Sequence, residues 1–189
     1  MEKMDARKRY TQMVLKQSFL KLLKEKPVNR ITVKEVCALA QLNRATFYAH
    51  YSDCFALMES IENELIDAFE KSLRYVNSFD VTALIEAIYD MVDRNQAACR
   101  VLILGNTSST VLMRMIALAK EDSIAYWRKE LPGAGGTELE MMYTHLSNGL
   151  MHVVVEDYNR YSKEEIIRFV SRVVKNSLSL FKKPAEAFA

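Results

Sequence analysis

Four consecutive side chains have the chemistry needed to read the edges of base pairs. They are Asn43, Arg44, Ala45 and Thr46. An arginine can donate two hydrogen bonds to guanine, a threonine hydroxyl can donate or accept one, and a methyl group can pack on thymine. This use requires that the four residues begin a helix that enters the major groove. The elements around them therefore decide whether the chemistry is available.

Two short helices joined by a tight turn are predicted around these residues. Thr32 and Glu35 have the spacing of a capping box, and apolar residues then share one face, which predicts a helix over 33–40. After the break "QLN", Asn43 is placed to cap a third helix that runs to about Tyr51. Longer amphipathic segments lie on both sides, over 8–26 before Pro27 and from Ser52 or Asp53 onward. This order predicts a helix-turn-helix unit.

The aromatic residues of the third helix divide by helical spacing. Phe47 and Tyr51 are four apart and are expected to share a buried face with Leu42 and Phe55. Tyr48 and His50 are offset by about 100° from that face and have polar tips suited to phosphate oxygens. A half-buried tyrosine and an ordinary surface histidine are the alternative interpretation of these two. Thr32, at a helix amino terminus, is a further candidate for a phosphate contact.

The charge distribution favours a polyanionic partner for the amino-terminal part. Residues 1–51 contain eleven Lys and Arg against four Asp and Glu, a net charge of +7, whereas the remainder carries −5. A basic first quarter on an acidic body is typical of nucleic-acid binding, although charge alone would equally fit a solvated lysine-rich face.

Composition limits the class of protein. The chain has 189 residues, half of them hydrophobic, with only 5 Gly and 3 Pro, which predicts a mostly helical fold. It contains no apolar run long enough to cross a bilayer, and its three cysteines form no CxxC pair, so a cytoplasmic location without membrane attachment is expected. The sequence contains no motif for a cofactor, a P-loop or a catalytic nucleophile, which argues against an enzyme.

Helical periodicity continues to the carboxy terminus. Helices are expected after Asp80, over 99–104 and over 109–131. Two further capping boxes, Thr137 with Glu140 and Ser162 with Glu165, predict the starts of the last two helices. The final helix is apolar over more than half its circumference, which predicts that a partner chain covers it.

The segment "ITVKEVCALAQLNRATFYAHYSDCFALME", Ile31 to Glu59, resembles the DNA-binding segment of the TetR (TetR/AcrR-like) family of bacterial transcriptional regulators. The carboxy-terminal part is similar to a low-GC Gram-positive branch of that family. The resemblance implies an all-α homodimer of about nine helices. Residues 1–52 would form the DNA-binding domain and residues 53–189 the effector-binding and dimerisation domain, with the last two helices as the dimer interface.

The resemblance also implies a function and the residues that carry it. A repressor would bind a near-palindromic operator and be released by an unknown small-molecule effector. Base contacts would fall to Asn43, Arg44, Ala45 and Thr46, and phosphate contacts to Thr32, Tyr48 and His50.

Two positions depart from the family pattern. Gln41 stands where a turn glycine is usual, and Cys54 stands where a lysine is usual. They support an alternative interpretation, an interaction subunit or coactivator of the same fold that does not read DNA in the usual way.

Two further groups of residues invite a ligand-binding interpretation. Methionine and aromatic side chains could line an effector pocket, although packing in the core is the more common use of such residues; the candidates are Met58, Tyr89, Met113, Trp127 and Tyr143. His145 and His152 would share one helical face, but their spacing is unusual for metal ligands and no further ligand accompanies them, so no metal site is predicted.

Overall fold

The computed structural model describes residues 2–73, 80–104 and 110–181, with side chains from residue 6 onward. Within these ranges every regular element is helical, which confirms the all-α prediction. A short 3-10 helix, Val28–Arg30, accompanies ten α-helices. The α-helices are α1 Glu2–Leu23, α2 Val33–Ala40, α3 Arg44–Tyr48, α4 Cys54–Leu73, α5 Val81–Arg94, α6 Gln96–Leu102, α7 Thr110–Leu118, α8 Lys120–Glu130, α9 Gly136–Asp157 and α10 Lys163–Ser179.

Contacts divide the chain into two compact units. The first unit comprises Met1–Leu65 with Asn95–Val101, and the second comprises Ile66–Arg94 with Leu102–Ala189. The first unit therefore includes the opening turns of α4. The boundary of the DNA-binding domain at residue 52 stays a prediction. No helix in the described ranges combines the length and hydropathy needed to cross a bilayer.

Each unit has its own apolar core. In the first unit α2 packs on both α1 and α3. Its fully buried side chains come mainly from α1 to α4 and include Leu15, Phe19, Val36, Phe47 and Leu57. In the second unit α10 packs on α5 and α9, and α8 packs on α9. Its fully buried side chains include Ile85, Leu112, Met115, Leu139 and Ile166.

Local capping signals predicted most helix starts correctly. Thr32 and Ser162 both form the expected capping boxes, with Glu35 and Glu165 respectively. Asn43 caps α3, and the Asp53 carboxylate accepts a hydrogen bond from the Ala56 N–H at the start of α4.

Several helix boundaries differ from the prediction, among them α6, which covers Gln96–Leu102 in place of 99–104. The capping box predicted at Thr137 and Glu140 is wrong, because α9 begins two residues earlier and the Glu138 carboxylate accepts from the Gly135 N–H at 2.7 Å. The predicted helix over 109–131 is divided at Ala119, whose ψ is −5°, and Ser109 lies outside the described residues. α1 ends at Leu23, before Pro27 is reached.

The turn between α2 and α3 forces Gln41 into the left-handed region, with φ 55° and ψ 39°. The Gln41 N–H donates to the Ala38 carbonyl and the Leu42 N–H to the Cys37 carbonyl. These two bonds form a Schellman motif, which usually has glycine at the left-handed position because a Cβ is crowded there. The chain thus builds the turn without glycine, at a conformational cost.

Replacing Gln41 by glycine is expected to stabilise the protein by about 0.5 to 1 kcal/mol. The relief of left-handed strain, roughly 1 to 2 kcal/mol, exceeds the entropy that glycine adds to the unfolded chain. Urea unfolding followed by circular dichroism measures the change. Gln41→Ala keeps the Cβ and serves as the control, since it should leave the free energy of unfolding nearly unchanged. Equal stabilisation by alanine would show that strain at the Cβ is not the cause.

Candidate nucleic-acid interface

The start of α3 is organised by Asn43. Its Oδ1 accepts hydrogen bonds from the Thr46 N–H at 2.7 Å and from the Thr46 hydroxyl at 2.8 Å. The cap therefore uses the amide oxygen of Asn43 and the hydroxyl proton of Thr46. Asn43 can still offer its Nδ2 as a donor, and the Thr46 oxygen can still accept, which narrows the contacts these two residues could make with bases.

The four predicted base-reading residues lie together at this helix start. Asn43, Arg44 and Ala45 are exposed and Thr46 is half-buried. The guanidinium of Arg44 is thus on an accessible surface, at the end of the helix that a helix-turn-helix unit presents to the major groove.

The buried side chain of Phe47 holds α3 in place from the side that faces the core. It is fully buried, and its ring lies 5.9 Å from the ring of the buried Tyr51 and 5.7 Å from that of Tyr48 in an edge-to-face arrangement. Tyr48 itself is 57% exposed. The predicted division of the aromatics, with Phe47 and Tyr51 inward and Tyr48 outward, is confirmed.

The prediction that Phe55 belongs to this buried set is wrong, since Phe55 is 58% exposed. α3 ends at Tyr48 and α4 begins at Cys54, so the intervening turn breaks the helical register. A spacing of four residues across that turn does not place two side chains on one face.

His50 lies in the turn after α3 and is half-buried. Its Nδ1 is buried without a hydrogen-bond partner among the described residues, and its ring lies 6.2 Å from that of Tyr51. Only Nε2 is left to meet a phosphate, so a phosphate contact would use one edge of the ring.

Thr32 is exposed at the start of α2, but a carboxylate already occupies that helix terminus. Glu35 Oε2 accepts from the Thr32 N–H at 2.9 Å and from the Thr32 hydroxyl at 2.8 Å. Lys26, a residue that no local sequence pattern links to this site, forms an ion pair with the other oxygen of Glu35. The Thr32 hydroxyl could therefore donate to a phosphate only if it gave up its hydrogen bond to Glu35.

These contacts lower the pKa of Glu35 from its usual 4.5 to about 2, chiefly through the hydrogen bond from Lys26 and then through those from Thr32. The folded state therefore gains stability from the ionised carboxylate above pH 4.5, and loses it as the pH falls toward 2.

Glu35→Gln is expected to destabilise the protein most at neutral pH. The difference in free energy of unfolding between wild type and variant should shrink as the pH falls through the interval between the usual and the lowered pKa of Glu35. Lys26→Met, which removes the largest cause of the shift, should reproduce most of this dependence. Urea unfolding at a series of pH values measures it, and a difference that stays constant with pH would contradict the assignment.

Cys54, where a phosphate-binding lysine was expected from the resemblance, is buried at the first position of α4. Burial raises the pKa of its thiol, and the neighbouring Asp53 raises it further. The side chain is thus a neutral part of the core, and this position contributes no phosphate contact.

The second unit contains a cavity of about 380 Å³. Trp127 and Tyr143, two of the five predicted pocket residues, line it. The other three lie elsewhere. Met58 belongs to the first unit, Met113 is 53% exposed, and Tyr89 stacks on Tyr158 with ring centroids 4.9 Å apart.

The two histidines considered as metal ligands are both exposed on α9, and His152 Nδ1 is hydrogen-bonded to the Asn148 carbonyl. Within the described part of the chain no three His, Cys, Asp or Glu side chains converge into a metal-binding group.

Solved structures with the same architecture include regulators from three bacteria. A transcriptional regulator from Pseudomonas aeruginosa PAO1 has a TM-score of 0.63 and 14% identity, covering 89% of this chain and 90% of its own. A TetR/AcrR-family regulator from Aquifex aeolicus VF5 has a TM-score of 0.59 and 16% identity, covering 88% and 99%. This chain has the TetR-type fold. A TetR-family regulator from Syntrophomonas wolfei str. Goettingen agrees, with a TM-score of 0.56 and 13% identity over 90% and 96%.

Sequence comparison gives a local similarity. The uncharacterized HTH-type transcriptional regulator YxbF of Bacillus subtilis (strain 168) is 30% identical over 59 residues, which span 31% of this chain and 16% of that protein. No protein-family model matches the chain. The similarity of this chain to TetR-family regulators therefore rests on its fold. Its assignment to a low-GC Gram-positive branch of that family stays a prediction.

Proposed function

We propose that the protein is a homodimeric transcriptional repressor of the TetR type that binds a near-palindromic operator and is not an enzyme. The observation that carries the proposal is the start of α3. There an exposed Arg44 stands beside a capped Asn43 and Thr46, and buried Phe47 fixes the helix behind them. Rigid placement of a few polar side chains at a helix start is what base reading requires.

The amino-terminal charge supports a DNA partner. The net charge of +7 over residues 1–51 would attract the phosphate backbone, whose neutralisation supplies most of the affinity of proteins for DNA. Exposed Tyr48 is suited to phosphate oxygens, as is Nε2 of His50.

Dimerisation through the last two helices is supported by their exposed apolar residues. Met141 on α9 is 61% exposed, and Phe169 and Val173 on α10 are 57% and 37% exposed. On the adjacent side of α10, Ile166, Val170 and Val174 are buried. The wide apolar face therefore divides into one side packed within the chain and another side available to a second copy.

Release by an effector is supported by the cavity and by α4. Phe69 and Leu73, near the carboxy-terminal end of α4, line the cavity. The same helix begins at Cys54 in the core of the first unit. A ligand that moves Phe69 and Leu73 would act on a helix that also belongs to the DNA-binding unit, and it would shift DNA affinity if it bound one arrangement of that helix better than another.

Selection of bound fragments from genomic DNA tests the proposed function. The expected result is enrichment of a two-fold-symmetric sequence whose half-site centres are one helical turn apart, roughly 34 to 36 Å. The Arg44→Ala protein is the matched control, since it should enrich fragments with less preference for that sequence. Enrichment of no common sequence by the native protein would contradict operator reading.

A second candidate is a subunit of the same fold that recruits another protein instead of reading DNA. The burial of Cys54, which removes one expected phosphate contact, favours it. A DNA-reading repressor should bind DNA more weakly as the salt concentration rises, whereas a protein-recruiting subunit should not show this dependence.

A further inference from the structure

The cavity of the second unit has walls of distinctive chemistry. Its lining is mostly aliphatic and aromatic. The polar residues of the lining divide into those exposed to solvent and those in the buried wall. The apolar lining includes Leu84, Ile88, Met115, Trp127, Leu146 and Met151. Among the described residues, the charged side chains that line it are Asp80, Asp122 and Lys129, and all three are exposed. Charge is thus found where solvent reaches, while the buried wall is uncharged.

Tyr143 and Ser147 line the buried wall one helical turn apart on α9, and Trp127 adds its buried indole nitrogen. The Tyr143 hydroxyl donates to the Ile116 carbonyl at 2.5 Å. Burial raises the pKa of Tyr143 to about 12, an increase that the adjacent Ser147 hydroxyl partly opposes, so the phenol is neutral. Its proton is committed to the protein, and its oxygen can only accept from a ligand.

Ser147 differs because its hydroxyl lies beside that of Tyr143 but meets no described partner in hydrogen-bond geometry. Its Oγ is buried and makes no hydrogen bond of normal geometry within the described residues. A buried hydroxyl without a partner costs free energy, and a ligand that bonds to it would recover that cost. The serine lies on the otherwise apolar face of α9 and lines the cavity.

From these walls we infer that the cavity binds a neutral, largely apolar molecule that carries one hydrogen-bonding group directed at Ser147. The inference rests on the proposed function for the role of this molecule as effector, and it adds the chemical class. A charged group placed against the buried wall would lose its hydration without meeting an opposite charge, which costs far more than a hydrogen bond returns. The volume of 380 Å³ lies at the low end of the range for small-molecule sites.

A matched set of probes tests the class of ligand: octanol, octanoate and octylammonium share a chain and differ in charge. Trp127 is the single tryptophan of the chain and lies on the cavity wall, so its fluorescence reports occupancy directly. Octanol should give a saturable change in Trp127 emission, and both charged homologues should bind at least about tenfold more weakly. Equal or tighter binding of either charged homologue would overturn the inference, as would no saturable response to octanol.

Two variants test the role of the serine. Ser147→Ala should weaken octanol binding by about two- to tenfold, the value of one hydrogen bond. Ser179→Ala, an exposed serine on α10, is the control and should bind as the native protein does. An unchanged affinity in Ser147→Ala would overturn the contact. Ser147→Phe, whose ring would occupy the part of the cavity beside residue 147, should abolish the emission change, and a persistent change would place the binding elsewhere.

These measurements use the protein without DNA, so they separate the inference from the proposed function. Binding of octanol by a protein that reads no operator would leave the ligand class standing and refute the repressor. A protein that binds its operator and gives no response to octanol would refute the ligand class alone.

Discussion

Phe169→Glu is expected to convert the protein from a dimer to a monomer and to weaken its binding to a full operator by about 10² to 10⁴-fold. Phe169 is 57% exposed on α10, so within one chain a glutamate there meets solvent and the fold should persist. In a dimer built on α9 and α10, the same glutamate would be buried against apolar residues of the second copy without a partner charge. The loss of one reading head then removes the gain from binding two half-sites together.

Sedimentation velocity measures the oligomeric state, and Phe55→Glu provides the matched control. Phe55 is exposed to almost the same extent, 58%, but it lies at the start of α4, outside the proposed interface. The control should remain a dimer, and circular dichroism should show both variants folded. If Phe169→Glu stayed dimeric, the interface would lie on another surface.

Arg44→Ala is expected to reduce discrimination among operator sequences by about 1 to 3 kcal/mol at one base-pair position. The exposed guanidinium at the start of α3 can form two parallel hydrogen bonds with guanine, and alanine forms none. Arg44→Lys should lose much of the same discrimination, because an ammonium lacks the planar pair of donors. Fluorescence anisotropy with the operator and its single-base variants measures both.

Tyr48→Phe is the contrasting variant for this experiment. It removes only the hydroxyl of an exposed ring and should weaken binding to all sequences alike, since phosphate contacts carry no base information. If Arg44→Ala instead weakened every sequence equally, Arg44 would be a phosphate contact and the base-reading assignment would be wrong.

The helix-turn-helix unit could be predicted from sequence because its signals are local. The capping box at Thr32 and the cap at Asn43 define where α2 and α3 start, and Phe47 and Tyr51 are buried as their spacing predicts. The same local rule fails at Phe55, because a turn interrupts the helix and resets the angle between successive side chains.

The start of α9 shows why capping patterns can mislead. Thr137 with Glu140 has the spacing of a capping box, but Glu138 caps the helix instead, through the Gly135 N–H. Glu138 and Glu140 are two residues apart, and either carboxylate could cap a helix start, so the spacing alone does not determine where α9 begins.

The cavity could be predicted least, because its walls come from helices far apart in sequence. Trp127 and Tyr143 were expected there as large aromatic residues, whereas Tyr89 meets Tyr158 and Met113 faces solvent. The sequence did contain one indication of the role of Ser147, since a serine stands there on the otherwise apolar face of α9. Its meaning depends on the absence of a hydrogen-bond partner among the described residues, which only the packed structure reveals. Lys26 was missed likewise, since nothing local links it to Glu35 nine residues later.

The most direct test of the central claim is the salt dependence of binding to the selected DNA fragment. A protein that neutralises several phosphates must release their counterions, so the logarithm of the binding constant should fall linearly with the logarithm of salt concentration. For a dimer with several phosphate contacts in each half, the slope should be steep, at roughly −0.9 per phosphate neutralised. A binding constant that does not change with salt would contradict DNA reading by α3 and favour the protein-recruiting subunit.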